Sequence, residues 1–166
     1  MDLKKQIGLV IITYIGFMAY FMGVFLPTFT ENVGGNEMVD AYLVDYSKSI
    51  EDIENLVLDY GEEGRAFMTN FFIMDSIYVI ISVTLFHLVI KAVATNKYFS
   101  YIPFLTGTFD TIENIAVLYT GLSLNMNYLA LARFFASAKA VCLFSSIIII
   151  IVGLGKKFIA NKTQIS

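Results

Sequence analysis

Four long stretches of almost uninterrupted apolar residues dominate the chain. Each has the roughly 20 residues that a helix needs to cross a hydrocarbon core about 30 Å thick. None shows the alternation of apolar and polar residues that a membrane β-strand requires. The pattern therefore predicts four membrane-spanning helices, over residues 7–28, 66–90, 101–122 and 129–154.

The first apolar stretch follows two lysines, as a signal peptide would. It is longer than the 7–15 apolar residues of a signal peptide, and no small-residue cleavage site follows it. We therefore expect a retained membrane anchor. Small residues fall near one face of this helix and would let a neighbouring helix approach closely: Gly8, Gly16, Ala19 and Gly23.

The segment between the first two spans, residues 29–65, contains a second kind of helical pattern. Ser49 is a typical N-cap and precedes two acids, and Gly61 is a typical helix stop. Between them apolar residues recur at helical spacing, at Ile50, Ile53, Leu56, Val57 and Tyr60. This predicts a short amphipathic helix that either covers the outer end of the bundle or acts as a lid or partner surface. Residues 37–46 are a further candidate helix.

Composition supports a membrane protein and excludes several other classes. Apolar residues make up 57% of the chain and charged residues 15%, against about 45–50% and 25% in soluble domains. This excludes a soluble enzyme and a disordered chain, and the net charge of −3 gives no basic surface for nucleic acid. A single cysteine, Cys142, excludes an intramolecular disulfide. The predicted fold is a single all-α domain over residues 1–166, a polytopic four-transmembrane-helix bundle with a short external helix.

The lysines indicate the orientation of the bundle. Basic residues favour the cytoplasmic side, and seven lysines flank what would be one side: Lys4, Lys5, Lys91, Lys97, Lys156, Lys157 and Lys162. The 29–65 segment carries ten acids against Lys48 and Arg65. We therefore expect a plasma (inner) membrane protein with both termini in the cytoplasm and the acidic segment outside.

Charged residues inside the predicted spans are the strongest functional signal. A charge near the bilayer centre costs about 2.5–3.5 kcal/mol on insertion scales, so such residues face the bundle interior and find partners. Asp75, Glu113 and Lys139 each lie nine or ten residues from the outer end of a span, about 14–15 Å deep. Three helices thus bring opposite charges to one level.

The candidate catalytic residues are Asp75, Asp110, Glu113 and Lys139. Because the acids outnumber the lysine, we expect Asp110 and Glu113 to share a proton, with Asn114 hydrogen-bonded to the pair. The alternative is a structural ion pair that fixes helix register. The candidate ligand-binding residues are Tyr78, Asn114, Arg133, Arg65, Ser82 and Thr106.

Three function classes fit such a pocket. The first is binding, with transformation left open, of a small amphiphilic or lipid-like substrate. The second is a small proton- or ion-coupled transporter, in dimeric form; the third is a non-catalytic accessory subunit. No cofactor or metal is expected, since no HExxH or histidine cluster occurs. The expected partners are membrane lipids, the amphiphile and a second copy or another membrane protein, and not nucleic acid.

Short motifs between residues 60 and 140 resemble small bacterial four-helix integral membrane proteins. The motifs are Gly61-Glu62-Glu63-Gly64-Arg65, Asp75-x-x-Tyr78, Pro103, Asp110-x-x-Glu113-Asn114 and the late Lys139. In that pattern a proline often follows the tyrosine, whereas Val79 follows it here. The resemblance implies that the polar residues act as one unit and implies no particular activity.

Overall fold

The computed structural model describes residues 2–35 and 37–163, with side chains described as far as Ile159. Throughout this part of the chain the regular structure is helical, and no strand occurs. The helices are α1 (Leu3–Asn32), α2 (Val39–Val44), α3 (Ile50–Asp59), α4 (Gly61–Val93), α5 (Ile102–Ser123) and α6 (Tyr128–Thr163), with a 3₁₀ turn at Lys97–Tyr101.

Three of these helices are long and apolar enough to cross a membrane: Leu3–Asn32, Gly61–Val93 and Tyr128–Ile159. The prediction of an all-helical protein is therefore confirmed, with three helices long and apolar enough to span a membrane where four were predicted. Helix α5 packs between α4 and α6, whereas α1 packs mainly on α4. Helices α4, α5 and α6 thus pack on one another, and the buried apolar core also includes Phe29, Leu43 and Ile53 from the preceding part of the chain.

Helix α1 is held at one end by aromatic side chains. Its turn Phe21–Phe25 is a π-helix just before Pro27, which lacks the N–H for a regular helical hydrogen bond. Beyond the turn, the Phe29 and Phe71 ring centroids are 5.2 Å apart. The rest of α1 is loosely packed. The expected close approach of a helix at its glycines is wrong, because a Cβ at Gly8, Gly16 or Gly23 would meet no atom within 4 Å.

The connecting segment, residues 33–60, folds back onto one end of the bundle. Ser49 and Asp52 form a reciprocal capping box, which confirms the predicted start of α3. Gly61 has a φ of +67° and separates α3 from α4, which confirms the predicted stop. The predicted apolar face of α3 is buried, at Ile53, Leu56, Val57 and Tyr60.

Close helix contacts at the opposite end depend on a glycine. A Cβ on Gly153 of α6 would lie 2.8 Å from the carbonyl oxygen of Val93, at the end of α4. The obstacle is backbone, which cannot move out of the way as a flexible side chain can. Gly153 therefore sets how closely α4 and α6 approach.

We predict that Gly153→Ala destabilises the protein by about 1–3 kcal/mol, because the added methyl group must push the two helices apart. Gly155→Ala is the matched control, since a Cβ there would meet nothing within 4 Å. Replacing glycine by alanine inside a helix otherwise stabilises it by about 0.5–1 kcal/mol. Thermal unfolding in detergent, followed by the helical circular dichroism signal, measures both; equal effects of the two substitutions would contradict the close contact.

Candidate functional site

An ion pair between α5 and α6 lies at the centre of the site. The Lys139 Nζ is 2.9 Å from an Asp110 carboxylate oxygen and 2.6 Å from a Glu113 carboxylate oxygen. The Glu113 side chain is 0% exposed and that of Lys139 20%. The i, i+3 spacing on α5 puts both acids on one face, so that one ammonium contacts both.

A second polar contact joins α4 to the same face of α5. The Asn114 side-chain N–H donates to a carboxylate oxygen of Asp75. The expectation that Asn114 hydrogen-bonds the Asp110–Glu113 pair is therefore wrong; the amide sits one residue further round α5 and faces α4 instead. The structure thus brings together four of the charged candidates on three helices, with Asn114 as the link to Asp75.

A cavity of about 250 Å³ lies beside these contacts. Six of the candidate residues line it: Asp75, Tyr78, Ser82, Thr106, Asp110 and Lys139. The rest of the wall consists of Ser146, the carboxylate of Asp40 and four apolar residues. The apolar residues are Val83, Phe86, Pro103 and Leu143. Polar and apolar surfaces therefore share one cavity between α4, α5 and α6.

The carboxylate that sequence reasoning missed is Asp40, on the short helix α2. Asp40 lines the cavity together with Asp75, Asp110 and Lys139. Burial raises the pKa of its carboxyl, the charge of Lys139 opposes this, and the charge of Asp110 adds to it. In the sequence, Asp40 is one of the ten acids of residues 29–65. The sequence does contain a signal that this segment packs against the bundle: the apolar residues Val39 and Leu43 are i, i+4 neighbours on one helix face. Both are buried in the structure.

Arg133 lies near the site but has a different set of partners. Its guanidinium donates to the backbone carbonyl oxygens of Tyr42 (3.2 Å) and Lys48 (2.8 Å), on either side of the turn between α2 and α3. One turn further along α6, the hydroxyls of Tyr46 and Ser137 are hydrogen-bonded. These contacts fix the connecting segment to α6, and with it Asp40.

Arg65 is the candidate that lies furthest from the others. It is in the first turns of α4, ten residues before Asp75, which is about 15 Å along the helix axis. Arg65 and Arg133 are not among the described residues that line the cavity. Their assignment to ligand binding stays a prediction.

The chemistry available in the cavity is that of carboxylates, hydroxyls and one ammonium. Within the described ranges, no three histidine, cysteine, aspartate or glutamate side chains are grouped so that they could hold a metal ion. Buried carboxylates next to an ammonium can bind a cation or exchange a proton. Comparison of the chain with protein-family models, with curated proteins and with solved structures found no match.

We predict that Lys139→Met destabilises the protein by about 3 kcal/mol or more, because it leaves two buried carboxylates without their cation. Adding Asp110→Asn and Glu113→Gln to the same chain should restore most of the loss. Lys91→Met, at an exposed lysine, is the control. Thermal unfolding in detergent measures the series, and a triple variant no more stable than Lys139→Met would contradict the ion pair as the cause.

We also predict opposite pH effects at two aspartates of the connecting segment. Burial holds the pKa of Asp40 above its unfolded value of about 3.9, so the folded state loses stability as pH rises through that raised pKa. Asp40→Asn should therefore raise the melting temperature at about pH 7, and the gain should shrink as pH falls towards about 4.

The pKa of Asp52 is shifted in the opposite direction, so its substitution should change the melting temperature in the opposite direction. The N–H and hydroxyl of Ser49 hold the pKa of Asp52 below its usual range, so its contribution to stability is present at neutral pH and is lost in acid. Asp52→Asn should lower the melting temperature at about pH 7 and have less effect below about pH 4. Melting temperatures of both variants across this range test the assignment, which fails if the two have the same sign at neutral pH.

Proposed function

We propose that this protein is a four-span plasma-membrane protein whose cavity binds a small amphiphilic molecule. In this proposal both termini are cytoplasmic and the connecting segment, with α2 and α3, is external. The three long apolar helices support a multi-pass arrangement. The lysines near the opposite ends of the helices support the orientation, since basic residues favour the cytoplasmic side.

Helix α5 is the fourth span of this proposal. Its 22 residues correspond to about 33 Å, enough to cross a hydrocarbon core. The two acids of α5, Asp110 and Glu113, both contact Lys139. Since α5 packs between α4 and α6, these acids are shielded from lipid by protein.

The observation that carries the binding proposal is the unequal distribution of charge along the cavity. The carboxylates and Lys139 lie at one end. Leu143 and Ser146 follow Lys139 on α6, and Pro103 lies seven residues before Asp110 on α5, about 10 Å away along the axis. A polar head group would occupy the charged end, and an apolar tail would lie against Val83, Phe86 and Leu143. The volume of about 250 Å³ is just below the range of about 300–1,000 Å³ for small-molecule sites.

The charged residues of the cavity would also allow the protein to transform the bound molecule chemically. Asp110 and Glu113 hold one ammonium between them, and a proton delivered to either acid would loosen its contact with Lys139. The same exchange would also serve a proton-coupled transporter, which is the second candidate function. The observation that favours transport is that the cluster joins three helices, so a change of protonation alters helix contacts.

We predict that Ser82→Leu lowers the affinity for an amphiphile at least tenfold, because the larger side chain fills the cavity. Thr84→Leu is the matched control, since Thr84 is exposed on the same helix and does not line the cavity. Each hydroxyl bonds only a backbone carbonyl of its own helix among the described residues, so both variants lose an equivalent contact. Equilibrium dialysis of radiolabelled decylamine against protein in lipid nanodiscs, with empty nanodiscs subtracted, measures the affinity.

Two results would overturn parts of the proposal. Saturable binding that is equally weakened by Ser82→Leu and Thr84→Leu would place the amphiphile outside this cavity. If the protein in sealed vesicles moves protons when decylamine is added, and Ser82→Leu abolishes that movement, the transporter replaces the binding protein as the function.

A further inference from the structure

We propose that the cavity selects a cationic amphiphile, a long-chain amine in its ammonium form, and that Asp40 and Asp75 hold its head group. This inference rests on the proposed function, since it names the class of molecule that the same cavity binds. The inference depends on the carboxylates and the lysine that line the charged end of the cavity.

The first step is the charge that remains after the ion pair is counted. Lys139 contacts Asp110 and Glu113, so its single positive charge is already shared by two acids. Three carboxylates line the cavity itself, those of Asp40, Asp75 and Asp110. Two of them, Asp40 and Asp75, have no cationic partner within hydrogen-bond distance among the described residues.

The second step is that these two carboxylates lack full hydrogen bonding. Asp75 accepts one N–H, from the amide of Asn114. None of the hydrogen bonds in the described part of the chain involves the Asp40 carboxylate. Both side chains are half-buried, so water solvates them incompletely and a cation in the cavity would satisfy both carboxylates.

The cavity wall also holds a polar atom without a partner in the described part of the chain. The Thr106 hydroxyl is buried, lines the cavity and has no hydrogen-bond partner among the described residues. The hydroxyl can accept an N–H from a ligand, and the excess of acceptors over donors at this end favours a donor-rich head group.

The third step distinguishes an ammonium from other cations. The acids are not grouped to hold a metal ion within the described ranges, and the neighbouring Lys139 would repel one. A primary ammonium has three N–H donors and can bridge carboxylates that lie on different elements, here α2 and α4. The rings of Tyr78 and Phe86 line the same cavity and suit a cation with an alkyl chain.

The test compares three amphiphiles with the same chain: decylamine, decanol and decanoate. Binding to the full chain in lipid nanodiscs at neutral pH is measured by the dialysis assay described above. We expect decylamine to bind at least tenfold more tightly than decanol, and decanoate to bind least. Asp40→Asn should weaken decylamine binding about tenfold, the value of one charge-assisted hydrogen bond, and leave decanol unchanged.

Glu51→Gln is the matched control, because it removes one negative charge from an exposed position of the same connecting segment. It should leave decylamine binding unchanged. Asp75→Asn, on α4, is a second variant that should weaken decylamine binding as Asp40→Asn does. Agreement of the two variants with the control unaffected supports the inference.

The failures of the two proposals differ in this experiment. If decylamine and decanol bind equally and Ser82→Leu weakens both, the cavity binds amphiphiles without selecting amines and only this inference is overturned. If Glu51→Gln weakens decylamine binding as much as Asp40→Asn, the preference comes from surface charge and the inference is also overturned. If no amphiphile shows binding that depends on Ser82, both proposals are wrong.

Discussion

The contact of one lysine with two acids of a neighbouring helix constrains the whole bundle. Lys139 can reach Asp110 and Glu113 together only if α5 and α6 keep one rotation and one height relative to each other. In surroundings of low polarity a slip of either helix would leave a charge unpaired, at a cost far above that of an apolar mismatch. The cavity lies beside this contact and takes its shape from it, because α4 is placed against the same face of α5 through Asn114 and Asp75.

Much of this arrangement follows from residue spacing. The helical period places Asp110 and Glu113 on one face, and the distance of Lys139 from the end of its helix places it at their level. The capping box at Ser49 and the break at Gly61 are likewise local signals that the structure confirms. The shared face of the two acids, the capping box and the break at Gly61 are each determined within a few residues of the chain, and for that reason the sequence predicts them.

The partners that sequence reasoning did not identify depend on where separate segments meet. Asn114 shares a face with the acids, but whether it turns towards them or towards Asp75 is decided by how closely α4 packs. Asp40 looks like any other acid of a polar segment. Its position in the cavity depends on the chain reversal at Gly34 and Gly35, whose φ angles of 70° and 82° few other residues adopt, and on the burial of Val39 and Leu43.

The guanidinium of Arg133 donates its hydrogen bonds to main-chain oxygens of the connecting segment, and it also lies over the ring of Tyr46. Every residue type has the same backbone carbonyl, so these two hydrogen bonds do not depend on the side chains at Tyr42 and Lys48. They depend on the number of residues between the two carbonyls. Point substitutions at those two positions leave the attachment available. An insertion or deletion between Tyr42 and Lys48 would move one of the two carbonyl oxygens out of reach of the Arg133 guanidinium. Apart from Tyr46, which contacts Ser137 by its side chain, the length of this turn is therefore more constrained than its composition, and that length determines where the carboxylate of Asp40 enters the bundle.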